Sequence, residues 1–175
     1  MKHISFLVVC MLLCFSCNQQ EQPIQKTENP IETTSLYFIR HAEKDRNDPT
    51  NKNPHLTEEG NARAENWSTV LQNIPLDAIY STNYHRTIET AQPTARKNGL
   101  DINIYDAGTI DTETFLRDNL GKHVLIVGHS DTTPKFVNSV IGKQIYSDID
   151  DSNNGNIYIV TITGNTITNM VLTIN

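Results

Sequence analysis

Beyond residue 17 the sequence contains no cysteine, so the rest of the chain has neither a disulfide nor a thiolate metal ligand. It has no excess of basic residues: 14 Lys and Arg face 20 Asp and Glu, for a formal charge of -6. That balance argues against nucleic acid as a partner, because such binding relies on a basic surface. No internal repeat is visible. With 175 residues the chain is long enough for one ordinary domain but not two. One long apolar run exists, from Ile4 to Phe15, interrupted only by Ser5. It is too short to cross a bilayer comfortably and fits a secretory signal better than a transmembrane helix.

All three cysteines, Cys10, Cys14 and Cys17, lie in or just after that run. Cys17 stands where it stops, and residues 1–17 resemble a bacterial lipoprotein signal. The resemblance implies lipidation at Cys17, with Phe15 a departure from the small residue usual near such a site. A protein so processed is exported and held in the cell envelope by its acyl chains. The side of the membrane and the oligomeric state stay open. Residues 18–34 are rich in Gln, Glu, Asn, Thr and Pro and have few large apolar residues, the composition of a disordered tether. Residues 35–175 form the expected domain.

Within it, apolar strands alternate with amphipathic helices. Residues 35–40 and 124–128 are continuous apolar runs, as expected of central strands covered on both faces. Further strands are predicted over 76–80, 101–105, 156–163 and 166–174, the last two joined through Gly164-Asn165 as a hairpin. A helix begins at Thr57, a good N-cap, with Ala62, Trp67, Val70 and Leu71 on its buried face. Others are predicted over 84–97, stopped by Asn98-Gly99, over 112–119 and over 133–141. The pattern indicates an α/β fold: a three-layer sandwich with a mostly parallel central sheet, helices on both faces and a C-terminal hairpin. Ligands in such sheets bind at the carboxyl ends of the strands.

Three motifs fall there. Arg40-His41 ends the first strand, Arg86 follows the second, and His129 ends the 124–128 strand. Arginine holds phosphate oxygens with a rigid fork of donors at any working pH. Histidine attacks phosphorus when one ring nitrogen is held and the other is free. His129 precedes a helix N-terminus, which favours an anion. Two strand-terminal histidines with two arginines therefore suit a phosphoryl group. A metal ion is not expected at this place, because Arg40 and Arg86 would repel it.

Arg40-His41-Ala42-Glu43 resembles the Arg-His-Gly-Glu signature of the histidine phosphatase superfamily, the phosphoglycerate-mutase-like fold, with Ala42 replacing glycine. Leu56-Thr57-Glu58-Glu59-Gly60 is similar to its Leu-Thr-x-x-Gly step. Ser81 to Ala91 resembles its Ser-x-x-x-x-Arg helix, and Gly128-His129-Ser130 its second histidine motif. The resemblance implies a metal-independent phosphohydrolase without a cofactor, acting on a phosphorylated small molecule or a phosphoprotein. It implies His41 as nucleophile, with Arg40, Arg86 and His129 as the phosphate pocket. Asn47, six residues after His41, matches a family asparagine that touches phosphate. The proton donor is open: Asp106 is the first candidate, Asp131 and Glu43 the others. The segments between motifs are too short for a specificity lid, so an open site is expected. A non-catalytic phosphate-binding lipoprotein is the alternative from another class.

Other polar residues suit plainer roles. His55 and His85 are expected at the surface, Glu89 beside Arg86, and Thr90 in helix packing. Residues 147–154 are expected to form a solvated acidic loop, lacking the spacing of a calcium-binding hand.

Overall fold

A computed structural model describes residues 32–174. The expected leader, the lipidation at Cys17 and nearly all of the tether lie outside the described residues. The first strand, β1, spans Thr33–Arg40, beginning two residues earlier than the composition suggests because Thr34 is buried despite its polarity. There follow α1 (Glu58–Val70), β2 (Ala78–Ser81), α2 (His85–Asn98), β3 (Ile102–Ile104) and α3 (Thr112–Asp118). The chain continues through β4 (His123–Gly128), α4 (Thr132–Ile141), β5 (Asn156–Thr163) and β6 (Thr166–Thr173). No helix among the described residues is long and apolar enough to cross a membrane.

The six strands form one sheet in the order β3-β2-β4-β1-β5-β6. The first four are parallel; β5 runs antiparallel to β1, and β6 to β5. This is the expected α/β architecture. Side chains alternate across β1 and β4, so the two strands feed two cores. Leu36, Phe38, Val124 and Ile126 pack on one face against Phe115 of α3 and Phe136, Val137 and Val140 of α4. Tyr37, Ile39, Leu125 and Val127 pack on the other against Trp67, Leu71, Ala91 and Ala95. Both central strands are thus covered twice, which is why their sequences show no polar alternation.

Helix ends follow their local chemistry. The Thr57 hydroxyl accepts from the Gly60 amide and caps α1. Gly99 closes α2 in the left-handed region at φ 65°, as Asn98-Gly99 predicts. The buried face of α1 is rotated from expectation: Ala62 and Val70 are exposed, whereas Gly60, Ala64, Trp67 and Ser68 are buried. Two of these carry no hydrophobic signal, and Gly60 is buried for a steric reason. A Cβ at Gly60 would stand 2.1 Å from the Glu43 carbonyl oxygen. That same oxygen accepts from the Thr57 amide at 2.9 Å, so α1 is docked directly onto the chain leaving His41. Gly60→Ala is expected to destabilise the domain by about 1–3 kcal/mol or more, because neither backbone can yield. Urea denaturation of the two proteins measures it.

Candidate active site

The register of the parallel strands places the first motif. Arg40 pairs with Gly128, and Ser81 with Val127. The ladders continue one step further: the His41 amide donates to Gly128 O at 2.9 Å, and the Thr82 amide to Val127 O at 3.4 Å. His41, Thr82 and His129 therefore leave the sheet side by side. Arg86 reaches them from the first turn of α2. Arg40, His41, Arg86 and His129 all line one cavity of about 900 Å³, with Lys44, Thr82, Tyr84, Asp106, Ser130, Asp131 and Asp151 among its other walls.

His41 is buried, and its Nδ1 lies 2.7 Å from Ala42 O. A carbonyl only accepts, so Nδ1 carries the proton and Nε2 keeps its lone pair. Burial, and then the charges of Arg40, His129 and Arg86, push the imidazole pKa down to about 3, against a smaller upward effect of the Ala42 carbonyl. The ring is neutral at ordinary pH. Its loop is held by Asn154 Nδ2 on His41 O at 2.7 Å and by Thr90 Oγ1, which receives the Ala42 amide at 2.9 Å. Thr90 also donates to Arg86 O at 2.6 Å, so it ties the two motifs together beyond its expected packing role.

His129 stands edge-on to His41, ring centroids 5.6 Å apart. Its Nε2 lies 2.9 Å from Thr82 Oγ1, whose own proton goes to Thr87 Oγ1 at 3.0 Å. Nε2 is therefore the protonated nitrogen and Nδ1 the acceptor, facing the Arg86 guanidinium at 3.4 Å. Burial and then Arg86 lower the His129 pKa to about 4, with Asp131 opposing. Arg86 also stacks over the Tyr84 ring at 4.4 Å.

Arg40 is 2% exposed and held by the 147–154 loop. One terminal nitrogen donates to the carbonyls of Asp150, Asp151 and Asn153, and the other to Asp151 Oδ1 at 2.6 Å. Asp151 also pairs with Arg46 at 2.8 Å. These two partners, Arg46 first, hold its carboxyl down at about 2. The acidic loop is thus the cradle of a cavity-lining arginine rather than a merely solvated segment. The Nε–H groups of Arg40 and Arg86 are both buried and find no acceptor among the described residues. Buried donors are normally paired, and a tetrahedral oxyanion in the cavity offers acceptors of the right charge.

Two sequence expectations are corrected. Asn47 is exposed and does not line the cavity. Its amide bonds Asp45 Oδ1 at 2.9 Å in the first of three successive side-chain-capped turns, the others being Asp48–Thr50 and Asn51–Asn53. Glu43 also lies outside the cavity walls, with Oε1 on Arg63 Nε at 2.6 Å, so it ties the chain after β1 to α1. Asp106 and Asp131 remain at the cavity. Asp106 is exposed and accepts the Gly108 amide at 2.8 Å. Burial raises the Asp131 pKa, but its own backbone amide, Lys135 and the Thr132 amide outweigh that and hold it below the usual range. Lys44, Thr82 and Asp151 were missed. Lys44 directly follows the first motif, a local signal; Asp151 had none.

The comparisons with known proteins agree with this geometry. Residues 36–107 match the histidine phosphatase superfamily (branch 1). No curated protein matches the chain in sequence. Among solved structures, a candidate phosphohistidine phosphatase, SixA of Agrobacterium tumefaciens, superposes with TM-score 0.59 at 22% identity, covering 81% of this chain and 99% of that one. A protein histidine phosphatase SixA complexed with tungstate gives 0.62 at 13% identity, covering 79% and 96%. A histidine-to-alanine mutant of Entamoeba histolytica phosphoserine phosphatase with phosphoserine gives 0.61 at 14%, covering 78% and 95%. At these identities the structural likeness speaks for the fold. The matched segment carries Arg40, His41 and Arg86, so the family likeness falls on the walls of the cavity.

An oxyanion beside His129 raises its pKa from about 4, so the anion binds with uptake of a proton at Nδ1. Affinity therefore falls as pH rises through the raised, bound-state value. Calorimetry with sulfate, which does not titrate near neutrality, should show proton uptake when buffers of different ionisation heat are compared. His129→Asn should abolish the uptake. Asp151→Asn should bind sulfate several-fold more tightly, because it removes an anion from the cavity wall; unchanged or weaker binding would show that its hold on Arg40 matters more.

Proposed function

We propose that the domain hydrolyses phosphate monoesters or phosphoprotein through a phosphohistidine on His41, without a metal or other cofactor. The observation that carries this reading is the His41 tautomer. Nδ1 is spent on Ala42 O, and the free Nε2 belongs to a cavity walled by Arg40, Arg86 and His129. In the first step the Nε2 lone pair attacks phosphorus while the ester P–O bond breaks. The departing oxygen takes a proton from a carboxylic acid. Water then attacks the phosphohistidine, the carboxylate recovers a proton, the N–P bond breaks, and inorganic phosphate leaves with His41 neutral again. Arg86, Arg40 Nε and a protonated His129 stabilise charge on the equatorial oxygens.

Asp106 is the proposed acid. Asp131, drawn toward ionisation against its burial by its own backbone amide and then by Lys135, is the poorer one. The wide cavity and the absence of long insertions between the motifs favour a phosphoprotein surface or a range of small esters over one tightly enclosed metabolite. Export and anchoring through Cys17 are part of the proposal, supported by the apolar run and the polar segment after it. The non-catalytic reading has one observation in its favour: Asp151 already sits as a resident carboxylate on Arg40.

Turnover separates the readings. With an activated aryl phosphate and a chelator present, the native protein should show rapid-quench accumulation of an acid-labile phosphoenzyme. His41→Ala should lose about a thousandfold or more of kcat. Arg86→Ala should lose about 10²–10³-fold. Asp106→Asn should slow an alkyl phosphate far more than the aryl one, since a good leaving group needs little protonation. Sulfate binding without any turnover by the native protein would favour the non-catalytic binder.

A further inference from the structure

Outside the catalytic cavity, three side chains that the phosphatase reading does not use converge on one point. His85 and Glu89 stand four residues apart at the start of α2, hence on one helix face. His55 comes from the chain just before α1. One ligand atom from each of His55, His85 and Glu89 lies within 4.8 Å of the others. The imidazole rings of His55 and His85 are stacked, 4.1 Å between centroids and 18° between planes. None of the three lines the catalytic cavity.

The backbone around them is fixed. Glu89 Oε2 accepts the Leu56 amide at 2.8 Å, which leaves Oε1 turned to His55 Nδ1 at 2.5 Å. The His55 carbonyl is bonded by the Asp45 amide at 2.8 Å, and Lys44 and Leu56 form a β-bridge. The His85 amide donates to Asn53 Oδ1 at 2.8 Å, so loop and helix start are tied together. The His85 ring makes no hydrogen bond among the described residues. A His–Glu pair explains two of the residues; it does not explain a second imidazole stacked on the first.

We propose that His55, His85 and Glu89 bind a divalent transition-metal ion of the zinc class. Two imidazole nitrogens and one carboxylate oxygen are a known zinc donor set, with water completing a tetrahedron. Tetrahedral ligands about 2.0–2.2 Å from a metal stand about 3.3–3.6 Å apart; the three atoms already lie within 4.8 Å of one another, and rotation of the exposed His55 and His85 side chains opens the 2.5 Å His55–Glu89 pair and draws in His85. Coordination through His55 Nδ1 displaces the proton now shared with Glu89, which moves to Nε2 or to solvent. The ion is no part of the hydrolytic step. It staples the 51–56 segment to the turn bearing Arg86, whose guanidinium already donates to Lys52 O at 3.4 Å. The inference stands independently of the phosphatase reading.

The test is a zinc titration of tag-free full-length protein, its cysteines alkylated so that Cys10, Cys14 and Cys17 do not compete. Calorimetry should show one ion per chain. Imidazole ¹H–¹⁵N spectra should shift at His55 and His85 and not at His41 or His129. His85→Ala, at an exposed ring, should weaken binding by more than about tenfold, as should the milder His55→Gln, while His41→Ala keeps it. No binding by the native protein at millimolar zinc, equal affinity in His85→Ala, or shifts at His41 and His129 instead would each overturn the proposal.

Discussion

The register of β1 against β4, and of β4 against β2, is the constraint on which everything else rests. It is set by two apolar strands buried on both faces, so a slip of one residue would move every large side chain into the wrong core. The ladder then carries two hydrogen bonds past the strand ends, to the amides of His41 and Thr82. The geometry of the cavity is thereby a by-product of core packing. The imidazoles of His41 and His129 are 5.6 Å apart because Arg40 and Gly128 are ladder partners.

What the register gathers is positive charge in a partly buried space, and the fold answers it in two ways. It keeps both histidines neutral through burial and the neighbouring guanidinium groups. It also brings the 147–154 loop over Arg40, where three carbonyls and the Asp151 carboxylate take up the terminal nitrogens. Arg40 is then as much a structural anchor as a ligand group, whereas Arg86 is half-buried and approaches His129 directly. Loss of Arg40 would take the shared donor from the carbonyls of Asp150, Asp151 and Asn153, a cost separate from any loss of anion binding.

Much of this was legible in the sequence. Gly99, Pro134 and the Gly164-Asn165 turn punctuate the chain where helices and strands do end or begin. The doubly covered strands announced themselves by lacking alternation. The four motif residues fall together because a parallel sheet aligns its carboxyl ends. The failures share a physical cause: they depend on contacts between distant segments. Gly60 and Ser68 are buried by a close backbone approach and a neighbouring helix, which hydrophobicity does not encode. Asn47 was placed by its spacing from His41, but the loop follows its own side-chain-capped turns. Glu89 looked like a partner for Arg86 one turn away, yet its carboxylate turns to His55 and the Leu56 amide. Asp151 lies more than a hundred residues from Arg40 and could be paired with it only in three dimensions.

The central claim is that one tetrahedral anion is grasped by three side chains, Arg40, Arg86 and His129, while His41 Nε2 faces its phosphorus. A crystal structure of the protein with vanadate tests this most directly. The account predicts vanadium bonded to His41 Nε2, with equatorial oxygens in hydrogen-bond reach of Arg86, His129 and Arg40 Nε. Vanadate bonded to His129, or seated away from both rings, would contradict it.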